Sequence, residues 1–191
     1  MRSTVAAAVR ALAAGELVVY PTDTLLGLAA RADDPAAVLR LERAKGRPTG
    51  QPISIAVSSV AEVEAIGDLS PAARRFVRTH LPGPYTILLR PNALARRRLA
   101  PRLFARDGTV GVRVPDHPVA RELARQAGPV TATSANLHGS PPCRSVGAAR
   151  RAFGDTVRTY LAETPRPRGV PSALVDLTGA RPTAVVRTVR R

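Results

Sequence analysis

Two polar segments of the sequence carry side-chain types that hold phosphate groups. The first, Lys45-Gly46-Arg47-Pro48, places an ammonium and a guanidinium two residues apart, around a glycine that permits close backbone approach. Such a pair suits an oligophosphate, because hydrogen bonds between charged groups are strong and Arg can donate two in parallel. The competing interpretation is an ordinary basic helix C-terminus, where cations interact favourably with the helix dipole.

The second segment, residues 131–136, collects small donors and acceptors and is followed by Gly139. The hydroxyls of Thr133 and Ser134 and the amide of Asn136 can together hold a phosphate or a nucleoside. A turn rich in Ser and Asn explains the same residues without a ligand. This segment alone therefore leaves both interpretations open.

Two further segments suit a small carboxylate ligand. Alternate side chains of an extended chain share a face, so Thr22 and Thr24 can present two hydroxyls to one ligand. Arg113 alternates with Val112 and Val114, which directs its guanidinium to the face opposite the apolar pair. There it can bind a carboxylate through two hydrogen bonds. A local turn at the two threonines and a surface location of Arg113 are the alternatives.

The elements that must position these segments alternate between strands and helices. The apolar pattern predicts strands over 17–20, 53–57, 85–89, 109–114, 130–133, 157–161, 172–177 and 184–189. It predicts helices over 3–14, with Ser3 as the cap, and over 34–45, 59–66, 70–80, 116–126 and 145–153. The alternation favours one α/β domain with a mixed sheet. The polar segments follow strands, the usual place for ligand sites in such folds. The Pro/Arg-rich stretch 164–171 is interpreted as a linker or a mobile surface loop.

Composition limits the classes of function. No run approaches 18 apolar residues, and charged residues interrupt the N-terminal segment, so we expect a cytoplasmic protein without membrane contact. With 29 basic and 14 acidic residues the formal net charge is +15, which favours nucleotide phosphates, tRNA or both as partners. Of the 29 cations 28 are Arg, a skew that G+C-rich coding also explains. The single Cys143 excludes an intramolecular disulfide.

Six motifs follow one another along nearly the whole chain. They are PTDTLLGL at 21–28, KGRP at 45–48, PGPYT at 82–86, VGVRVP at 110–115, TSANLHG at 133–139 and PSALVD at 171–176. In this order and spacing they resemble the YrdC family, whose best-known members are the threonylcarbamoyl-AMP synthases. The resemblance implies one YrdC-like α/β domain over residues 1–191. Its expected features are a twisted mixed parallel and antiparallel sheet, flanking helices and a basic concave cavity.

The resemblance also implies a role for each matching residue. The residues that hold the ATP phosphates and serve catalysis would be Lys45, Arg47, Ser134 and Asn136. Further ATP-binding positions would be Thr109, Thr133 and Arg187. The threonine-binding positions would be Thr22, Thr24, Gln51, Arg113 and Ser172. No side chain is expected to hold a metal.

The implied reaction joins L-threonine, bicarbonate or CO2, and ATP. A carbamate oxygen attacks the α-phosphorus, pyrophosphate leaves, and threonylcarbamoyl-AMP passes to a downstream threonylcarbamoyl transferase complex that modifies tRNA. Fixed cations and the Mg²⁺ bound to ATP would offset the repulsion between the two anionic reactants. No protein base is required, so His80, His117 and His138 are expected at the surface.

Departures from the family pattern keep other functions open. Leu26 stands where the family commonly has an aromatic residue, which affects the expected substrate preference. A paralogue that mainly binds tRNA or double-stranded RNA is the first alternative. The high charge favours it, while the intact phosphate-binding residues argue against it. A carbamoyl-phosphate-dependent enzyme is the second alternative, and the 191-residue length disfavours it because those chains are much longer.

Overall fold

The computed structural model of the chain describes residues 3–48, 50–162 and 164–185. Its α-helices are α1 (Val5–Ala13), α2 (Pro35–Lys45), α3 (Val60–Ile66), α4 (Pro71–His80), α5 (Ala93–Arg98), α6 (Pro118–Ala127) and α7 (Val146–Phe153). Its strands are β1 (Val18–Tyr20), β2 (Gly27–Ala29), β3 (Ile55–Ala56), β4 (Tyr85–Leu89), β5 (Val110–Arg113), β6 (Val130–Thr131), β7 (Thr133–Ser134), β8 (Thr159–Tyr160), β9 (Ala173–Asp176) and β10 (Thr183–Val185). The predicted α/β class is confirmed.

Helix α2 shows how local sequence sets the position of a functional residue. The Asp34 carboxylate accepts hydrogen bonds from the N–H groups of Ala36 and Ala37, and Pro35 occupies the first turn, where its missing N–H costs nothing. Gly46 ends the helix in the left-handed conformation, with φ of 61°, which a glycine adopts without steric cost. Lys45 is therefore fixed as the last residue of the helix.

One predicted cap is wrong. Thr4, not Ser3, caps α1, because the Thr4 hydroxyl accepts a hydrogen bond from the N–H of Ala7. Ser3 instead forms a parallel β-bridge with Leu161. By type both neighbouring hydroxyl residues are common caps, and Ser is the more favourable of the two. The pairing of Ser3 with a distant strand, which the local pattern does not contain, decides between them.

The strands form two mixed sheets rather than the single sheet that the sequence suggested. One has the order β7-β2-β1-β8 and the other the order β10-β9-β4-β5-β3-β6. The chain passes from one sheet to the other at Ala132, which separates β6 from β7 and donates its N–H to the carbonyl of Ser54. The predicted strand 130–133 is therefore two short strands, and β7 starts the polar segment beside β2.

The core is built mainly from aliphatic side chains, because aromatic residues make up only 3% of the sequence. The main cluster is rich in Leu, Val, Ile and Ala contributed by both sheets and by α2, α4 and α7. A second cluster packs α1 and α6 against β1, β6 and neighbouring residues. Among the described residues, no helix is long and apolar enough to cross a membrane.

Gly27 allows β1 and β2 to pack closely beside the polar segments. A Cβ atom at Gly27 would lie 2.6 Å from Cε1 of Tyr20, whose ring is fully buried. We expect Gly27→Ala to lower the free energy of unfolding by about 1–3 kcal/mol, the usual cost of overpacking a core. Chemical denaturation measures it. Gly147→Ala is the matched control, because a Cβ there has no contact closer than 3.8 Å. Equal stability of the two variants would contradict the expectation.

Candidate functional site

A cavity of about 250 Å³ collects side chains from most of the polar segments. Its wall includes residues 22–27 after β1, the residues before β3, the facing ends of β4 and β5, and the β6–β7 segment. Of the predicted site residues, those that line it are Thr22, Thr24, Arg47, Arg113, Thr133, Ser134 and Ser172. The structure thus brings together five segments that are distant in sequence.

Lys45 joins the two predicted phosphate-binding segments. Its buried ammonium group donates hydrogen bonds to the backbone carbonyls of Ser134 and Asn136, at 2.5 Å and 2.6 Å. The N–H of His138 donates in return to the carbonyl of Lys45, at 2.7 Å. Residues 45–47 and 134–136 therefore form one continuous surface. We call Lys45, Arg47, Ser134 and Asn136 the cationic wall.

The remaining groups of the cationic wall are held by short-range hydrogen bonds. The Ser134 hydroxyl donates to Oδ1 of Asn136 at 2.5 Å, and the Asn136 amide donates to the carbonyls of Leu137 and Ser140. The Arg47 guanidinium donates to the carbonyl of Pro52 at 3.0 Å. Each side chain therefore has a fixed orientation. Arg47 and Ser134 line the cavity directly. Lys45 and Asn136 are not part of the lining and are hydrogen-bonded to Ser134.

The electrostatic state of Lys45 differs from that of a surface lysine. Burial, and to a smaller extent the neighbouring Arg47 guanidinium, lowers its pKa from 10.5 to about 8, while Cys143 acts in the opposite direction. Removal of an ammonium from water disfavours its charged form, and a second cation adds repulsion. An anion bound at the cationic wall would restore the charged form, so anion binding and protonation of Lys45 are linked.

Arg113 dominates the other end of the cavity. The side chain is buried and donates to Oδ1 of Asp23 at 2.7 Å and to the hydroxyl of Thr24 at 2.9 Å. The alternative interpretation of Arg113 as a surface residue is therefore excluded, because both faces of β5 are covered. The Thr22 hydroxyl lies 3.0 Å from that of Thr24. We call Thr22, Thr24, Arg113 and Ser172 the arginine end.

The interpretation of residues 22–25 as a local turn is also correct. The Thr22 hydroxyl accepts hydrogen bonds from the N–H groups of Thr24 and Leu25 and donates to the carbonyl of Leu25, at 2.6 Å. The turn and the ligand-facing arrangement are thus compatible. The turn bonds fix the Thr22 side chain, and both threonines still line the cavity.

The Pro/Arg-rich stretch 164–171 lies against the arginine end. The N–H groups of Arg168 and Gly169 donate to the carbonyls of Asp23 and Thr24, at 3.1 Å and 2.8 Å. The Nε2 atom of His117 lies 3.0 Å from the carbonyl oxygen of Pro165. His117 is only 2% exposed, so its predicted surface location is wrong. The pKa of His117 lies below its ordinary value, because the effect of burial exceeds the opposing effect of the contact with Pro165.

Besides Lys45 and Asn136, two predicted site residues within the described ranges, Thr109 and Gln51, do not line the cavity. Thr109 lies at the opposite end of β5 from Arg113, roughly 13 Å along the strand at its usual rise, and its hydroxyl donates to Asp107. Gln51 is outside the cavity lining, and only its backbone carbonyl contacts Arg47, at 3.4 Å. Arg187 lies outside the described residues.

The cavity also contains polar side chains to which the sequence assigned no role. Thr86, on β4, is buried, and its hydroxyl lies 2.7 Å from the Ser172 hydroxyl. Ser54 and Tyr20 also contribute to the lining. Burial raises the pKa of Tyr20 to about 12, and its hydroxyl donates to the carbonyl of Thr131. The motif PGPYT, which ends at Thr86, was the available signal for that residue.

Comparisons with known proteins agree on one family. The sequence model of the Sua5/YciO/YrdC family, described as "Telomere recombination", matches residues 10–189. A Mycobacterium tuberculosis (strain H37Rv) protein named "Putative threonylcarbamoyl-AMP synthase" is 40% identical over 179 residues, which are 93% of this chain and 81% of that protein. The fold is shared with two solved structures.

The first structure is Pyrococcus abyssi Sua5 complexed with L-threonine, with a TM-score of 0.82 and 29% identity, covering 96% of this chain and 54% of that one. The second is Escherichia coli YciO, with a TM-score of 0.82 and 25% identity, covering 97% of this chain and 89% of that one. The chain therefore spans about half the length of Sua5 and most of YciO.

The lowered pKa of Lys45 predicts how anion binding depends on pH. Below about pH 8 the free protein already carries the ammonium; above it, a bound triphosphate must draw a proton onto Lys45. We therefore expect the affinity for ATP to fall above pH 8, by up to about tenfold per pH unit. Calorimetric titrations from pH 7 to 10 measure this fall. The side chain of Lys45→Arg keeps its charge over this pH range. If the ATP affinity of that variant fell with pH as steeply as that of the wild type, Lys45 would be excluded as the cause of the fall.

Proposed function

Because the chain belongs to the Sua5/YciO/YrdC family, we propose that it is an L-threonylcarbamoyladenylate synthase, a nucleotidyltransferase. It forms threonylcarbamoyl-AMP and pyrophosphate from L-threonine, bicarbonate or CO2, and ATP. The observation that carries this proposal is that Arg113 lines the same cavity as Arg47 and Ser134, which belong to other segments. One end suits a small carboxylate and the other suits a chain of phosphates.

The amino acid binds at the arginine end in this proposal. Arg113 receives the carboxylate, and the hydroxyls of Thr22, Thr24 and Ser172 surround the rest of the molecule. Asp23 neutralises part of the Arg113 charge and fixes its orientation. A zwitterion has little net charge, so a site built from an ion pair and hydroxyls matches it better than a site built from bare cations.

ATP binds along the cationic wall. Lys45 and Arg47 supply positive charge to the phosphate oxygens, and the Thr133 hydroxyl donates a hydrogen bond to them. Ser134 and Asn136 donate to the phosphate in exchange for the hydrogen bonds that they make within the chain. Thr109 and Arg187 are proposed to contact the nucleotide beyond the cavity, whereas Gln51, which follows Arg47 in the chain, is proposed to contact the threonine. No three His, Cys, Asp or Glu side chains within the described ranges lie together as metal ligands. We assign Mg²⁺ to the phosphate oxygens, as part of the substrate.

The reaction brings two anions together. The amine of threonine and bicarbonate or CO2 give a carbamate, one oxygen of which attacks the α-phosphorus while the bond to pyrophosphate breaks. Fixed cations stabilise the charge that develops on the phosphoryl oxygens without reorganisation during the step. Adjacent binding of the short-lived carbamate and the triphosphate also supplies the advantage of proximity. The side chains thus position and neutralise, and no base is assigned.

The product defines the partners. An activated threonylcarbamoyl group requires an acceptor, and we propose that a downstream transferase complex in the cytoplasm passes it to tRNA. The formal net charge of +15 supports direct contact between this chain and tRNA, since a strongly basic surface attracts a polyanion.

The product itself provides the direct test. Purified protein is incubated with ATP, Mg²⁺, bicarbonate and L-threonine, and threonylcarbamoyl-AMP is sought by mass spectrometry. We expect the adenylate together with pyrophosphate release that depends on threonine and is much weaker with serine or glycine. Tight tRNA binding without adenylate formation would overturn the proposal in favour of an RNA-binding function.

Lys45→Ala tests the cationic wall. The variant loses a charge-assisted contact to phosphate, so we expect threonine-dependent pyrophosphate release to fall by about ten- to a hundredfold or more. The variant also leaves two carbonyls without their ammonium partner, so circular dichroism must confirm its fold. Arg43→Ala is the control, because Arg43 is an exposed cation on the same helix. Normal turnover in folded Lys45→Ala would remove Lys45 from the site.

A further inference from the structure

We propose that Thr86 determines substrate specificity by forming, with Ser172, a subsite for the β-hydroxyl group of the amino acid. This inference rests on the proposed function and adds a residue to it. The hydroxyls of Thr86 and Ser172 lie 2.7 Å apart. Both side chains line the same cavity as Arg113.

The sheet register places Thr86 beside Arg113. Strands β4 and β5 are antiparallel with Ile87 opposite Val112 and Leu88 opposite Gly111. The next pair in that register is Thr86 and Arg113. Directly opposed residues have Cβ atoms about 4.5–5.5 Å apart on one face. A small amino acid whose carboxylate contacts Arg113 therefore has its next substituents within reach of Thr86.

The backbone fixes Ser172 at the same place. The N–H of the following residue, Ala173, donates to the carbonyl of Pro84 at 2.9 Å, and Ala173 pairs with Tyr85 in the parallel β4–β9 ladder. Ser172 thus precedes β9 at the same sheet end at which β4 begins. The two hydroxyls approach each other from adjacent strands rather than from flexible loops.

Gly111 constrains the orientation of the Thr86 side chain. A Cβ at Gly111 would lie 2.4 Å from the Ser54 hydroxyl and 3.4 Å from Cγ2 of Thr86. The Thr86 methyl group therefore lies over Gly111, while its hydroxyl points to Ser172. Because a β-branched side chain has few accessible χ1 rotamers, these two contacts define one orientation.

The pair of hydroxyls suits another hydroxyl group as its ligand. One of them donates to the other, which leaves one hydrogen and at least one lone pair for a third group. A substrate hydroxyl can accept that hydrogen and donate its own. Without such a ligand the pair still satisfies itself, so an amino acid that lacks the hydroxyl loses one neutral hydrogen bond and leaves no buried group unpaired. The discrimination expected from Thr86 is therefore moderate, about two- to tenfold.

The test compares L-threonine with L-2-aminobutyrate, which keeps the carbon chain and lacks the hydroxyl. Calorimetry gives the dissociation constants of both for the wild type, Thr86→Val and Thr86→Ser. Valine keeps the branched shape and removes the hydroxyl, whereas serine keeps the hydroxyl and removes the methyl group. We expect Thr86→Val to reduce the preference for threonine by about two- to tenfold, and Thr86→Ser to retain it.

Two results would overturn the proposal: an unchanged preference in Thr86→Val, or a wild type that binds both amino acids equally. Because binding is measured without ATP, failure of this subsite is distinguishable from failure of the proposed activity. A shifted preference without adenylate formation would keep the subsite and remove the synthase function. Normal adenylate formation with an unchanged preference for threonine in Thr86→Val would keep the synthase function and remove the subsite.

Discussion

The buried ammonium of Lys45 is the interaction on which the arrangement of the site depends. Its two hydrogen bonds join the end of α2 to residues 134 and 136, about ninety positions later in the chain. Burial lowers the pKa of Lys45 from 10.5 to about 8. A lowered pKa of a lysine means that its charged form opposes folding. Below pH 8 the protonated Lys45 lowers the free energy of unfolding by about 3 kcal/mol, and this loss disappears as the pH rises towards 10.5. A cost of this kind, retained in a cleft, is typical of a functional group.

The two ends of the cavity hold their cations by different means, and the difference matches the two proposed ligands. Lys45 is held by neutral carbonyls, which leave its full charge available to an anion. Arg113 is held by the Asp23 carboxylate in a buried ion pair, which cancels most of its net charge while preserving its orientation. The first arrangement favours a multiply charged triphosphate. The second favours an amino acid, whose own charges nearly cancel.

The sequence predicted the parts of the fold that local chemistry specifies. Both ends of α2 were predicted from Asp34, Pro35 and Gly46. The cavity is lined by four of the predicted motif residues: Thr22, Thr24, Arg113 and Ser172. Strand β2 was missed because Gly27–Ala29 has no strand pattern of its own. It is a strand through its pairing with β1 and β7. The division of the strands into two sheets was not predicted, because the switch at Ala132 depends on a hydrogen bond to a distant carbonyl.

Long-range contacts also explain the side chains that the sequence did not place. His117 is buried and contacts the carbonyl of Pro165, in a segment whose Arg168 and Gly169 donate backbone hydrogen bonds to Asp23 and Thr24. No local pattern contains that information. Thr86 looked like an ordinary strand residue, and its proximity to Ser172 arises from the parallel pairing of β4 and β9.

Leu26, the main departure from the family pattern, illustrates how far such a change reaches. Its side chain is buried and contributes an apolar part of the cavity wall, so it supplies neither a hydroxyl nor an aromatic face to a ligand. Its backbone carbonyl, however, accepts the N–H of Ala135 at 2.8 Å, between Ser134 and Asn136. Any residue type can make that bond. The substitution therefore changes the surface offered to the substrate and leaves the position of the cationic wall unchanged.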